Sequence, residues 1–193
     1  MNAFSSPNTD IVIRWAPLYG DVAIPQYAEP GAAGRDIRAY LTGSKSAPAW
    51  SNVINEQIDP LRVEEECDGL PIRPRLVIPP MTRCIIPTGL RFVLKPGWEI
   101  QMRPRSGYIK SSLRMVNAPA TLDCSYRGEV GLLLENISTY APVAVEHHNR
   151  LAQLAVRPVA QYTEETLPPG LDLDEHFGST SRGTGAFGST GNQ

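Results

Sequence analysis

The chain has 193 residues, a formal net charge of −2 at pH 7 and a pI near 5.9, which suits one domain of ordinary size. This charge balance excludes a strongly basic surface for nucleic acid, and the short, interrupted apolar runs exclude a membrane span. The first residues lack the pattern of a secretory signal, and the cysteines at 67, 84 and 124 form no metal-binding spacing. We therefore expect a protein of the reducing cytoplasm, without nucleic-acid or membrane partners.

Short β-type runs recur along the chain, and no long run keeps a helical period. The runs lie at 10–16, 35–40, 76–79, 84–87, 90–94, 98–103, 129–135, 143–146 and 151–159. Turn signals such as Pro79-Pro80 and Lys95-Pro96-Gly97 separate them. Many short strands punctuated in this way predict an all-β barrel or jelly roll.

Residues 42–74 depart from this pattern. Four apolar residues recur there at helical spacing: Trp50, Val53, Ile54 and Ile58. Since Pro48 precedes them and Asp59-Pro60 follows, the segment predicts a short amphipathic helix. Two interpretations stay open: a surface insertion that packs its own apolar face, or a contact for a protein partner or another subunit.

The segment 168–193 is rich in glycine, serine and threonine toward its end. It cannot bury enough apolar area to hold itself folded, so it predicts a flexible C-terminal arm. Arg182 and Phe187 stand among glycines and hydroxyls in this arm, and together these groups could order over a ligand.

Residues 117–131 combine apolar positions with Asp123, Tyr126 and an Arg-Gly pair. The flanks at 115–122 and 129–134 are β-prone, which predicts a hairpin with Asp123 and Tyr126 near its bend. Such an acid is usually only a turn residue, and the alternative, that it takes part in the chemistry, depends on the other segments.

Three further segments contain groups suited to a phosphate chain. Arg105, Ser106 and Gly107 combine a guanidinium, a hydroxyl and open amides, which suits phosphate oxygens. Asp36 follows small residues that permit close backbone approach, and its carboxylate could face a hydrated Mg²⁺. Gln153 lies in a predicted buried strand, so its amide should meet either a phosphate or a neighbouring backbone group.

Five segments in this order resemble the trimeric dUTPase family. They are Ala32-Ala33-Gly34-Arg35-Asp36, Pro104-Arg105-Ser106-Gly107, the hairpin 117–131, Arg150-Leu-Ala-Gln153-Leu and the glycine-rich stretch 182–191. The resemblance implies a distorted jelly-roll β-barrel over 1–167 and an arm, 168–193, that closes over the active site. It also implies a homotrimer with shared active sites.

The resemblance further implies hydrolysis of dUTP to dUMP and pyrophosphate by water attack on the α-phosphate. This reaction limits uracil in DNA and supplies dUMP for thymidylate synthesis. The implied cofactor is Mg²⁺, held mainly by the substrate phosphates, with Asp36 contacting it through water.

The resemblance also assigns roles to single residues. Asp123 would orient and deprotonate the attacking water, Tyr126 would lie against the deoxyribose, and Phe187 would stack on the uracil. The full implied substrate-binding set is Arg105, Ser106, Gly107, Asn117, Thr121, Leu122, Tyr126, Gly131, Gln153, Arg182, Phe187, Gly188 and Ser189.

Two departures from the family pattern affect the prediction of base specificity. Ala120 stands where glycine is usual, and Tyr108 stands where leucine is usual. One alternative is a dCTP deaminase, or a bifunctional dCTP deaminase/dUTPase of the same fold. Another is a dUTPase-like regulatory protein that binds a partner through 42–74.

Overall fold

In the computed structural model, the described residues are 11–42, 46–67, 70–107, 111–160 and 162–181. The chain divides into two compact units, Met1–Ala160 and Gln161–Gln193, and we describe each by itself. The first unit contains the described strands and the second contains one short helix.

The strands of the first unit have between 3 and 12 residues and pair antiparallel throughout. They are β1 (Arg14–Pro17), β2 (Arg35–Arg38), β3 (Ser46–Ser51), β4 (Glu56–Cys67), β5 (Leu70–Ile78), β6 (Thr82–Pro87), β7 (Leu90–Val93), β8 (Trp98–Pro104), β9 (Leu113–Met115), β10 (Ala120–Asp123), β11 (Gly131–Asn136), β12 (Val143–Glu146) and β13 (Arg150–Pro158). They form a two-stranded sheet β1-β7, a four-stranded sheet β10-β8-β13-β2 and a seven-stranded sheet β12-β5-β4-β3-β6-β11-β9. The all-β prediction is confirmed.

Buried and more exposed residues alternate along the strands, and the buried ones form the core. In β8, Ile100 and Met102 are buried while their neighbours are more exposed, and in β11 Leu132 and Leu134 are fully buried. Their side chains belong to one contiguous apolar cluster that draws on strands of all three sheets. Burying one such side chain stabilises a fold by about 1.5–3 kcal/mol, so this cluster fixes the strands that carry the site.

The thiol of Cys84 provides a direct test of this core. It is fully buried on β6, and burial raises its pKa from 9.0 to about 12. Because the thiolate is the reactive form, we expect Cys84 to resist alkylation in the folded protein at mildly alkaline pH, whereas the partly exposed Cys124 reacts. Mass spectrometry of the two peptides measures this, and modification of Cys84 as fast as in urea would contradict the packing.

The helix predicted within 42–74 is wrong. The segment forms β3, a turn at 52–55, β4 and the start of β5, and Ile58 of β4 lies opposite Ala49 of β3. The apparent helical spacing therefore arises because the chain reverses at this turn. Val53 and Ile54 at the turn are 76% and 58% exposed.

The segment 42–74 also does not pack by itself. β3 lies between β4 and β6 in the seven-stranded sheet, and Ala47 and Ala49 are buried in the main core. The segment therefore supplies strands to the body of the fold in addition to an exposed turn.

The predicted hairpin over 117–131 is also wrong as a strand pair. β10 pairs with β8, whereas β11 pairs with β6 and β9. The bend at 124–130 therefore carries the chain from the four-stranded sheet to the seven-stranded sheet. The alternation in each flank was sufficient to predict a strand, but it does not determine the partner.

The second unit contains α1, Leu173–Phe177, within the segment predicted to be a flexible arm. The Asp172 side chain caps this helix by accepting hydrogen bonds from the amides of Asp174 and Glu175, at 2.9 and 3.0 Å. None of the helices in the described part of the chain is long and apolar enough to cross a membrane.

Candidate active site

A cavity of about 290 Å³ lies between β10 and β11, and we call it the β10–β11 cavity. Five residues of the predicted substrate-binding set line it: Asn117, Thr121, Leu122, Tyr126 and Gly131. Ala120, which departs from the family pattern, also lines it. The structure thus brings the uracil-reading and sugar-facing candidates together.

Asp123 is the last residue of β10 and is exposed. Its carbonyl accepts a hydrogen bond from the amide of Tyr126 at 3.0 Å, which closes the turn after the strand. This turn places the predicted base and the predicted sugar-facing ring on the same short bend. A solvent-facing carboxylate at the end of a strand that lines this cavity can accept a proton from water.

The ring of Tyr126 is held by its own loop. Its hydroxyl donates to the backbone carbonyl of Glu129 at 2.8 Å, and its ring centroid lies 6.4 Å from that of Phe92. Gly128 leaves space for this arrangement, because a Cβ there would overlap the tyrosine hydroxyl. The loop therefore needs a glycine at 128 for the Tyr126 ring to take this position.

Four lining residues of the β10–β11 cavity were missed by the sequence analysis: Ile85, Met102, Glu129 and Leu133. Leu133 pairs with Ile85 across β11 and β6, so this wall depends on strand register. A Cβ at Gly131 would approach Ile85 Cγ2 to 2.5 Å, so this wall is closely packed. Ile85 precedes Gly131 by over forty residues, so the local pattern of residue types does not predict that they are neighbours.

A second cavity, of about 350 Å³, is lined by Arg105, Gly107, Asn149 and Arg150 among others, and we call it the arginine cavity. Arg105 Nε lies 2.9 Å from Asp36 Oδ1, and Arg150 lies 3.2 Å from Asp36 Oδ2. Two guanidinium groups against one carboxylate leave a net positive charge. Two arginines with a net positive charge suit the binding of a phosphate chain.

Gln153 lies beside this cluster on β13. It pairs with Asp36 of β2 on one side and with Arg103 of β8 on the other. A Cβ at Gly34 would come within 2.5 Å of Gln153 Oε1, so the amide side chain lies against the Gly34 backbone. That this amide meets either a phosphate or a neighbouring backbone group stays a prediction.

The acidic side chains near Asp36 determine whether this part of the chain can hold the predicted Mg²⁺. Asp36 is engaged by two arginines, and no group of three or more His, Cys, Asp or Glu side chains among the described residues could enclose a metal ion. Mg²⁺ usually keeps several waters and binds one or two carboxylates together with substrate phosphates. A single carboxylate fits contact through water and does not fit an all-protein cage.

Among the described residues, none lines both cavities. The uracil-reading and sugar-facing candidates thus line one cavity of the first unit. Arg105 and Gly107 line the other, and Ser106 between them in sequence is exposed. Four predicted arm residues lie outside the described residues, namely Arg182, Phe187, Gly188 and Ser189, and Tyr108 does also.

Comparison with known proteins shows which family this chain is similar to. A family model described as dUTPase matches residues 69–191. The deoxyuridine 5′-triphosphate nucleotidohydrolase of Roseobacter denitrificans is 34% identical over 181 residues, covering 93% of this chain and 94% of that protein.

Solved structures give the same picture for the fold. The dUTPase of Staphylococcus bacteriophage 80alpha with dUPNHPP has a TM-score of 0.63 at 17% identity, covering 96% of this chain and 100% of that chain. A mutant dUTPase from phage phi11 of S. aureus, described with a structural Mg(II) ion, has a TM-score of 0.59 at 14% identity, covering 82% of this chain and 98% of that chain. These similarities confirm the predicted jelly-roll fold.

Proposed function

Because the chain belongs to the dUTPase family, we propose that it hydrolyses dUTP to dUMP and pyrophosphate, with Asp123 as the catalytic base. One observation carries the residue assignment. Asn117, Thr121, Leu122, Tyr126 and Gly131 line one cavity, and Asp123 ends the strand that forms its wall.

In this proposal Asp123 takes a proton from a water molecule as the water attacks the α-phosphorus. A positioned general base of this kind contributes about 10²–10⁴-fold to a rate. The bond from the α-phosphorus to the bridging oxygen breaks, and pyrophosphate leaves. The remaining acceleration comes from positioning and from positive charge on the phosphates.

Arg105, Ser106 and Gly107 supply that charge and hydrogen bonding, with Gln153 beside them. The support is the ion-paired arrangement in which Arg105 and Arg150 share the carboxylate of Asp36. Pairing with this one acid leaves one positive charge over, which a triphosphate can neutralise. We assign Asp36 a contact to Mg²⁺ through water, with the ion held mainly by the substrate phosphates.

Asn117 and the backbone of Thr121 and Leu122 read the uracil edge, and Tyr126 lies against the deoxyribose. A buried donor and acceptor pattern rejects a mismatched base, because the mismatch leaves polar groups unpaired. The ring of Tyr126 occupies the room that a 2′-hydroxyl needs, so UTP is a poor substrate.

We also propose that three subunits assemble and share their active sites in the cytoplasm. The separation of the two cavities within one subunit supports shared sites, since each cavity holds only part of the binding set. Arg182, Phe187, Gly188 and Ser189 complete the site when the arm closes. A partner contact at 42–74 stays a hypothesis, and the exposed turn with Val53 and Ile54 is the place to test it.

Incubation of the pure protein with each deoxynucleoside triphosphate and Mg²⁺ tests this function. We expect pyrophosphate release from dUTP alone. Ammonia release from dCTP would instead indicate the deaminase alternative, and absence of any turnover would favour the regulatory alternative. Omission of Mg²⁺ should sharply reduce turnover, and full activity in a chelator would contradict the metal assignment.

A further inference from the structure

We propose that Glu129 is a positioning residue that fixes Tyr126 and thereby sets the discrimination between deoxyribose and ribose substrates. This inference rests on the proposed function, since it assigns a role at the same site. Glu129 does not belong to the binding set that the sequence predicts, yet it lines the β10–β11 cavity.

The carboxylate of Glu129 is anchored to the turn between β6 and β7. Its Oε1 accepts hydrogen bonds from the backbone amides of Thr88 and Gly89, at 3.1 and 2.6 Å. Gly89 has a φ of +69°, and successive amides around such a residue form a concave donor pair that binds anions. Hydrogen bonds to an ionised acceptor are about twice as strong as neutral ones, so this anchor is firm.

The residue after Glu129 is tied to the same turn. The Thr88 hydroxyl donates to the carbonyl of Val130 at 2.7 Å, and the Val130 amide donates to the carbonyl of Leu90 at 2.8 Å. Side chain and backbone bonds together therefore fix the backbone at 129–130. The carbonyl of Glu129, which accepts the Tyr126 hydroxyl, is fixed with it.

Tyr126 depends on this fixed carbonyl because packing alone does not hold it. The residue is 42% exposed, and its hydroxyl bond to Glu129 is what orients the free end of the ring. Loss of the anchor lets the bend at 124–130 relax and opens room beside the sugar. Glu129 then affects selectivity through Tyr126, without touching the substrate itself.

The test is the ratio of kcat/KM for dUTP to kcat/KM for UTP. We expect Glu129→Ala to lower this ratio by at least about tenfold, within the range that one group in a pocket contributes. Glu129→Gln keeps an oxygen acceptor for both amides, so its ratio should stay near that of the wild type. The exposed Glu56 on β4 provides a matched control, and Glu56→Ala should leave the ratio unchanged.

Two further variants keep the test decisive if Glu129→Ala folds poorly. Gly128→Ala displaces the tyrosine hydroxyl sterically, and Tyr126→Phe removes its donor, so both should lower the ratio in the same direction. A merely structural role would lower activity on both substrates in parallel, and that result would overturn the inference. A wild-type ratio in Glu129→Ala would also overturn it while leaving the proposed function intact. Absence of dUTP hydrolysis in the wild type would overturn both.

Discussion

Replacement of Asp123 by Asn is expected to lower the rate of dUTP hydrolysis by about 10²–10⁴-fold, the usual contribution of a general base. The asparagine amide matches the carboxylate in size but cannot accept the proton from the attacking water. Asp123 is exposed at the end of β10, so the substitution should leave the fold and the cavity walls unchanged. The measurement is the single-turnover rate of pyrophosphate release, which separates chemistry from product release.

Binding measurements provide the control for this variant. The affinity for a non-hydrolysable dUTP analogue, determined by calorimetry, should stay within a few-fold of the wild type. Asp59→Asn is a matched substitution, because Asp59 is an exposed acid on β4, and it should hydrolyse dUTP at the wild-type rate. Turnover by Asp123→Asn at the wild-type rate would remove Asp123 from the mechanism.

The strands were predictable wherever alternation and turn signals agree. β8 shows why: Ile100 and Met102 face the core, while Gln101 between them and Arg103 after them are less buried. The run predicted at 98–103 therefore matches the strand Trp98–Pro104. The same rule failed at 50–58, because a strand, a turn and a second strand place apolar residues at distances that resemble a helical period. Local spacing alone cannot separate these two cases.

Strand partners were not predictable from local pattern. β10 and β11 follow each other in sequence, yet they belong to different sheets, because β8 and β6 provide their pairing edges. The choice depends on which sheet surface each flank can bury, and that information is spread over the whole chain. The bend with Asp123 and Tyr126 therefore joins two sheets, and a cavity forms where they separate.

The residues of the candidate site also divide into those that the local sequence predicts and those that depend on distant segments. Residues within one short segment, such as Thr121, Leu122 and Tyr126, were predicted together and lie together. Glu129 was missed although it stands in the same segment, because its role depends on amides at 88–89, about forty residues earlier. A chain of hydrogen bonds between distant segments leaves no signal in the local spacing of residue types.

Deletion of the arm tests its contribution to the proposed site. Truncation after Pro169 removes Arg182, Phe187 and Ser189, which in our proposal complete the site when the arm closes. We expect kcat/KM for dUTP to fall by at least about 100-fold, since loss of positioning and of water exclusion commonly has effects of this size. Steady-state kinetics on dUTP, compared with the full chain at equal concentration, measure this.

The fold itself should survive the truncation, because Met1–Ala160 forms a compact unit with its own core. The unfolding temperature and the oligomeric state are therefore expected to match those of the full chain. Full-length Phe187→Ala separates a stacking role from the presence of the arm, and it should reproduce a smaller part of the loss. Wild-type kcat/KM in the truncated protein would show that the arm does not take part in catalysis. A large fall in unfolding temperature would instead mean that residues beyond Pro169 stabilise the sheets.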